Sequence, residues 1–398
     1  MPSNIIKDLD ASKIGPRLRI ARERRNMSQV QVAEILNVSR TTIVAIEQGK
    51  RKIKSKELIL LAQTFGISVS DILNPRITSS SFNVQYRAAN FRTKDENEEV
   101  GPVIEEWERL CQDYYFLEEI LNTPLSKRYP EEYTLFDMPI EIIAQNIATK
   151  ERNRLGIGDG PVRGLREILE EEVGLRIFYI KMPNKFSEIY AFDDNLGGCL
   201  AININHPEER QRWSLAHGYL HFLVHRKNTV YHYDNQYSRM PLPEQLAESY
   251  AKHFLMPTYS VSKHFARHKE KGRFEVEDLL SLADFFGVGV ETITIRLEDL
   301  KLLPTGTWEY KIKGRNLKIR EAQDKLGLRK ISKERGGKYP LNYMNMAIKA
   351  LDRGLITEGK FAKLLDVNRL EARSIAIALR ENAVNKDVNF NDIDLSIK

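Results

Sequence analysis

Residues 27–52 read MSQVQVAEILNVSRTTIVAIEQGKRK, and two short helices can be parsed from them. Ser28 is a good N-cap for a first helix, Gln29–Leu36; Asn37-Val38 makes a short turn; Ser39 caps a second helix, Arg40–Gln48, which Gly49 ends. Two short helices across a tight turn are what a helix-turn-helix requires. Upstream, Ile14, Leu18 and Ala21 recur at helical spacing over Ile14–Asn26, with Arg17, Arg22, Arg24 and Arg25 expected on the outer faces. Downstream, Glu57–Thr64 and Val69–Leu73 supply further helices, with Leu58, Leu61, Ala62, Phe65, Ile67, Ile72 and Leu73 closing a small core.

Charge agrees with that reading. Residues 1–75 hold 13 Lys and Arg against 7 Asp and Glu, and residues 76–398 hold 48 of each, so the net charge of +6 is the surplus of the first 75 residues. An N-terminal module facing a polyanion, joined to electrically balanced domains, follows. The chain is 398 residues long and 42% hydrophobic, enough for two to four ordinary cores. Its 29% charged residues and the absence of an uninterrupted apolar run exclude a membrane span, and residues 1–10 lack the apolar stretch of a signal peptide. Only Cys111 and Cys199 occur, in no C-x-x-C pair, so neither a disulfide framework nor a thiolate zinc site is expected and a reducing cytoplasm is the simplest compartment.

The 27–52 string resembles the lambda-repressor/Cro-like (XRE) helix-turn-helix family over about 60 residues. The resemblance implies a recognition helix that presents Ser39, Arg40, Thr41, Thr42 and Ala45 to the major groove. There Arg can fork onto guanine, Thr can read a base or a thymine methyl, and Ala permits close approach. It implies that Gln29 anchors a phosphate and that Lys50, Arg51 and Lys52 contact the backbone. The bland alternative is a solvated basic face on a helical interaction domain. One head offers one half-site, so a homodimer on double-stranded operator DNA is the expected partner arrangement.

Residues 76–160 read as linker and helical spacer. Ser and Thr crowd 75–83, 94–99 is a charged run, and Val103–Leu121 places Trp107, Leu110, Tyr114, Leu117 and Leu121 on one side of a helix suited to spacing or dimerisation, its aromatics more often core than a ligand box. Beyond it a helix at Arg163–Glu172 precedes three strands, LRIFYIKM, Glu188–Phe192 and Gly198–Ile204, separated by Pro183-Asn184 and Asp193-Asp194-Asn195; a small antiparallel sheet is expected.

Next comes RQRWSLAHGYLHFLVH, residues 210–225, a buried helix with His217 and His221 at i and i+4, where two imidazoles can converge on one ion. His225, eight residues after His217, is rotated about 80° away and is a poor third ligand. After Pro241-Leu242-Pro243, Glu244 and Glu248 share a helix face, so that one carboxylate can ligate while the other holds an imidazole N–H. On composition and spacing alone, two buried histidines satisfied by these glutamates are the commoner arrangement, since H-x-x-x-H is frequent by chance. H-x-x-x-H followed by a Glu helix ending in F-L-M-P resembles the ImmA/IrrE family of zinc metallopeptidases, over about residues 161–303. The resemblance implies zinc as cofactor, His217, His221 and Glu244 as ligands, and Glu248 as supporting acid, with Glu244 and Glu248 interchangeable.

The motif departs from that family at one position. H-E-x-x-H carries a Glu serving as general base, whereas this chain has His217-Gly218-Tyr219-Leu220-His221. Gly218 cannot accept a proton, and losing a positioned acid/base group removes about 10²–10⁴-fold in rate. Proteolysis is therefore expected to be weak or absent, and no catalytic residue is assigned; a rival reading keeps an active zinc endopeptidase that borrows Glu248. Tyr231-His232-Tyr233 and the pair His264 and His268 have no matching carboxylate context and read as surface or loop residues.

Farther on, Phe274–Phe286, Gly287-Val288-Gly289 and Glu291–Leu300 repeat a helix, turn, helix pattern, acidic enough to favour packing over DNA. Residues 309–339 are rich in Lys and Arg and read as solvated surface rather than an auxiliary nucleic-acid patch; Asn342–Asp352 and Glu358–Asn382 read as helices, and 384–398 as a loose tail. The expected architecture is multidomain: an all-α head (1–75), the linker region (76–160), an α+β zincin-like, gluzincin-like domain (161–303) and a mostly helical C-terminal region (304–398). The expected function is a cytoplasmic DNA-binding transcriptional regulator, a repressor, whose peptidase-like domain senses a metal, a small molecule or a protein effector. A metal-free, DNA-tethered interaction scaffold is the third alternative.

Overall fold

The computed structural model describes residues 11–25, 27–65, 69, 72, 94–134, 138–227, 230–233, 241–270, 272–313, 326–327 and 337–387. The chain divides into two compact units, residues 1–79 and 80–398. The 75–83 linker, the side chains of 94–99, most of 309–339 and the 388–398 part of the tail lie outside the described residues.

The first unit contains α1 (Ala11–Arg24), α2 (Gln29–Ile35), α3 (Arg40–Glu47) and α4 (Ser55–Phe65). Their apolar stripes, Ile14 and Leu18, Val32 and Ala33, Ile43 and Ile46, and Leu58, Leu61 and Phe65, meet in one core that Ile72 completes. Gly15 is required there: a Cβ would stand 2.3 Å from the Ile46 carbonyl oxygen, so only glycine lets α1 approach the end of α3. Arg22, expected outward, is instead buried, and its Nε and Nη2 donate to Glu47 at 2.7 and 3.2 Å.

In the second unit the order is α5 (Lys94–Leu121), α6 (Ile140–Arg154), α7 (Leu165–Ile168) running into a π-helical turn at Leu169–Val173, β1 (Arg176–Ile180), β2 (Phe186–Asp193), β3 (Gly197–Asn203), α8 (Glu208–Val224) and β4 (Val230–Tyr233). It continues with α9 (Leu242–Leu255), α10 (Thr258–Glu270), α11 (Val276–Phe286), α12 (Val290–Asp299), α13 (Leu341–Asp352), α14 (Glu358–Leu364) and α15 (Arg369–Asp387). Asp193 Oδ1 accepts the backbone N–H groups of Asn195 and Leu196 at 2.9 and 3.0 Å, which turns β2 tightly into β3.

The strands lie in the order β1-β3-β2-β4. The sheet is mixed, not antiparallel as expected: β2 pairs antiparallel with β3 and β4, but β1 runs parallel to β3, with Arg176 opposite Cys199. The strands alternate as any strand does, but both faces are covered, so the two-residue period is masked by burial on either side and relative direction cannot be read from it. Tyr231, His232 and Tyr233, read as surface or loop, belong to β4.

Leu200 of β3 points to α8. Its neighbour Cys199 points the other way, to Cys111 of α5, whose thiol burial and that contact push well up. The 103–121 helix is therefore not a spacer. Trp107, Leu110, Tyr114 and Leu117 are fully buried, Tyr114 meets Phe178 of β1 edge-on and stacks on Tyr343 of α13, and Glu118 forms a buried ion pair with Arg176 at 2.6 Å. The aromatic side of the helix is core, as those residue types suggest, and is filled by the same chain.

Candidate metal centre and nucleic-acid interface

α8 starts after Pro207 and runs seventeen residues, long enough to carry His217 and His221 one above the other into the interior, where they are 0% and 1% exposed. α9 starts after Pro241 and brings Glu244, in its first turn, over the same point. His217 Nε2 lies 3.4 Å from Glu244 Oε2 and His221 Nε2 lies 3.4 Å from Glu244 Oε1. Ligand atoms of the three residues all fall within 4.8 Å of one another. Zinc bound tetrahedrally at about 2.1 Å keeps its ligands about 3.4 Å apart, so the donor types and their spacing fit that ion.

The carboxylate that holds an imidazole is not the one expected. His217 Nδ1 stands 2.6 Å from Oε1 of Glu188, on β2, with both side chains buried. A carboxylate only accepts, so Nδ1 carries the hydrogen and Nε2 is the nitrogen turned toward Glu244. Glu248 instead accepts from Trp213 Nε1 at 3.0 Å. Glu188 was missed because its strand precedes the histidine helix by about thirty residues and nothing local ties them. Burial by itself lowers the His217 pKa, but Glu188 and Glu244 outweigh it and hold it well above the usual imidazole value.

Gly218 faces the sheet. A Cβ built there would lie 2.5 Å from Leu200 Cδ1 and 3.3 Å from Glu188 Oε1, so the Leu200 side chain sits where a side chain at 218 would be. Tyr219 turns away, bonded to Glu151 and to Arg154 Nη2 at 2.5 and 2.7 Å. His225 ends α8, and burial lowers its pKa. His268, read as lacking a carboxylate, has one: its Nδ1 is 2.8 Å from Asp278 Oδ1, supplied by α11. His264 lies against the Phe285 ring at 4.1 Å.

In the first unit, α2 and α3 have the caps the sequence requires. Ser28 and Gln31 form a reciprocal capping box, Asn37 takes the left-handed conformation at φ 52°, and Ser39 Oγ accepts the Thr42 N–H at 3.2 Å. Arg40 and Thr41 are exposed and Thr42 and Ala45 half-exposed, while Ile43 and Ile46 face the core. The hydroxyls of Thr41 and Thr42 lie 2.7 and 2.9 Å from Ser39 Oγ.

Two residues expected to hold phosphate are engaged within the protein. Gln29 Nε2 donates to Glu47 Oε2 at 2.9 Å, and both Nη atoms of Arg51 fork onto Glu57 at 3.0 and 2.9 Å. Lys50 and Lys52 are exposed. Glu47 thus accepts from α1 and α2 while belonging to α3, and sets the angle at which α3 is displayed.

Comparison with known proteins matches two stretches of the chain. The helix-turn-helix family covers residues 18–72, and the IrrE N-terminal-like domain of the M78 peptidases covers residues 170–298. An uncharacterised HTH-type transcriptional regulator of Methanocaldococcus jannaschii is 39% identical over 56 residues, which are 14% of this chain and 85% of that protein. The chain belongs to the XRE-type helix-turn-helix family, and its residues 170–298 match the IrrE N-terminal-like, metallopeptidase-like domain.

Solved structures similar to the chain include apo ComR of S. thermophilus (11% identity, 94% of this chain and 99% of that one, TM-score 0.15). They also include PlcR of Bacillus thuringiensis in complex with the peptide PapR7 and DNA (11%, 95% and 99%, TM-score 0.17). At those TM-scores the likeness specifies neither the fold nor the function of this chain. Among the described residues no helix is long and apolar enough to cross a membrane.

Proposed function

We propose that this protein is a cytoplasmic transcriptional repressor that binds operator DNA as a homodimer through α3 and reads a zinc-linked signal through its zincin-like, gluzincin-like domain. Arg40 and Thr41 at the start of α3 make the base contacts, and Ser39, Thr42 and Ala45 set how closely the helix approaches. Lys50 and Lys52 supply backbone charge, joined by Gln29 and Arg51 when phosphate displaces Glu47 and Glu57 from them. His217, His221 and Glu244 hold zinc, which when bound supplies a Lewis acid and a fixed double positive charge. Gly218 offers no proton acceptor and Glu248 is committed to Trp213, so peptide hydrolysis is weak.

The observation that carries this reading is the closure of two buried imidazoles and one carboxylate over a single point, in a chain that also displays a capped, outward-facing α3. Zinc couples to DNA only through unequal affinity for the DNA-competent and DNA-incompetent arrangements. The test uses purified full-length chain, DNA selected by that chain from a random pool, and elemental analysis. About one zinc per chain, lost in His217→Ala/His221→Ala, with DNA affinity shifted by zinc and abolished by Arg40→Ala/Thr41→Ala, supports the proposal. No zinc after incubation refutes the metal part, and unchanged DNA binding in Arg40→Ala/Thr41→Ala refutes the DNA part.

A further inference from the structure

The segment from Thr357 to Ala376 repeats the segment from Ser28 to Glu47 at a constant offset of 329 residues, in every backbone device that makes a helix-turn-helix. Thr357 caps α14 by accepting the Lys360 N–H at 3.2 Å, as Ser28 accepts from Gln31 at 3.2 Å. Leu365 ends α14 as Leu36 ends α2. Asp366 then takes φ 54° where Asn37 takes 52°, and the Val367 N–H returns to the Ala362 carbonyl at 3.1 Å as Val38 returns to Ala33 at 2.9 Å. Asn368 caps α15 by accepting the Glu371 N–H at 3.0 Å, where Ser39 accepts from Thr42. The inward positions also correspond: Phe361, Ala362 and Ala372 are buried as Val32, Ala33 and Ile43 are.

Outward, α15 shows Arg369, Leu370, Glu371, Arg373 and Ser374 at the positions of Arg40, Thr41, Thr42, Val44 and Ala45, all exposed. Arg373 pairs with Glu358 at 2.8 Å and Arg380 with Asp352 at 2.5 Å, each across an exposed surface. Such pairs are worth little in water, and a phosphate can replace the carboxylate. The electrical balance of residues 76–398 conceals a division: 309–398 carry 20 Lys and Arg against 12 Asp and Glu, and 76–308 carry 28 against 36. Most of the C-terminal surplus falls in 309–338, with 11 against 4, while the α14–α15 segment, 357–387, holds 6 against 5.

We propose that α14 and α15 form a second helix-turn-helix that contacts double-stranded DNA, so that one chain grips the duplex through two modules. Glu358 and Glu371 stand where the head has Gln29 and Thr42, so this module reads bases less than the head does. It holds phosphates through Arg369, Arg373 and Arg380 instead. The inference rests on the reading of the head as the sequence-reading module.

The experiment measures binding of the full chain to 60-base-pair duplexes that it retains from a random-sequence pool, as a function of salt, together with the protected length. Arg369→Ala/Arg373→Ala, two exposed positions whose thermal unfolding should match the parent, is expected to lower the slope of log K against log salt by about 2 and to shorten the protected length. Glu358→Gln, which removes a negative charge from the same face, is expected to tighten binding.

Unchanged slope and protected length in the double arginine variant overturn the inference, as does a change in self-association without a change in DNA binding, which would make α15 a protein-docking helix. Failure of the head reading looks different: Arg40→Ala/Thr41→Ala would then leave the selected sequence preference intact.

Discussion

Glu188 Oε1 lies 2.6 Å from His217 Nδ1, and the two residues meet across the boundary between a β-strand and the helix packed on it. The contact fixes the imidazole tautomer and turns Nε2 to the point that His221 and Glu244 also face. The position of that ring is therefore decided by the sheet as much as by the H-x-x-x-H spacing.

Glu188→Ala is accordingly expected to weaken zinc binding about 10–100-fold, and Glu188→Gln, which keeps an acceptor for the Nδ1–H, to weaken it less. Competition against a chromogenic chelator measures both. Equal affinities in the parent and both variants would show that the contact does not orient the ligand.

Restoring the family's glutamate by Gly218→Glu is expected neither to recover peptide hydrolysis nor to leave the fold untouched. The new Cβ meets Leu200 Cδ1 at 2.5 Å and brings a second carboxylate toward Glu188. Gly218→Ala separates the two effects: overpacking costs about 1–3 kcal/mol, against about 1 kcal/mol gained in helix propensity. Thermal unfolding decides it, and a raised Tm in Gly218→Ala would mean that Leu200 gives way.

In the head, Glu47→Ala is expected to destabilise the first unit by about 3–5 kcal/mol, because it leaves Arg22 buried without its carboxylate. Gln29 loses its acceptor at the same time. Hydrogen exchange should show the protection of α1 to α4 lost while that of the second unit persists, and DNA binding should fall with it.

Acid should loosen the clasp between α6, α9 and α12. His253 is buried, its Nδ1 accepts from Arg296 at 3.1 Å, and its Nε2 donates to Glu141 at 2.9 Å; Lys252 and Thr258 complete the polar surroundings. Burial first, and then the Arg296 charge, lower its pKa to about 4 despite Glu141. The folded state therefore favours the neutral ring. The stability this gives is complete above the unfolded value of about 6.5 and is lost as pH falls from there toward 4, by up to about 3 kcal/mol. His253→Asn, measured by denaturant unfolding at several pH values, should flatten that decline.

Much of the head was legible because its determinants are local. Ser28, Asn37 and Ser39 act on residues two to four positions away, so caps and turn follow from spacing, whereas the burial of Arg22 depends on Glu47, twenty-five residues off. The same contrast runs through the metal centre. His217 and His221 share a face by helical period, but which glutamate faces them depends on where α9 starts after Pro241.

The sequence by itself determined the elements whose causes lie within a few residues: the capped α2 and α3, the outward Arg40 and Thr41, the buried histidine pair on α8, and the glycine that removes the proton acceptor at 218. Tertiary structure alone decided the parallel pairing of β1 with β3, the burial of α5 against it, and the meeting of Glu188 with His217. Tertiary structure also decided the close packing of Leu200 on Gly218. The reason is range: capping and helical period act over one or two turns of chain, while strand direction, ion pairs and packing across layers depend on side chains brought together by folding from tens to hundreds of residues apart.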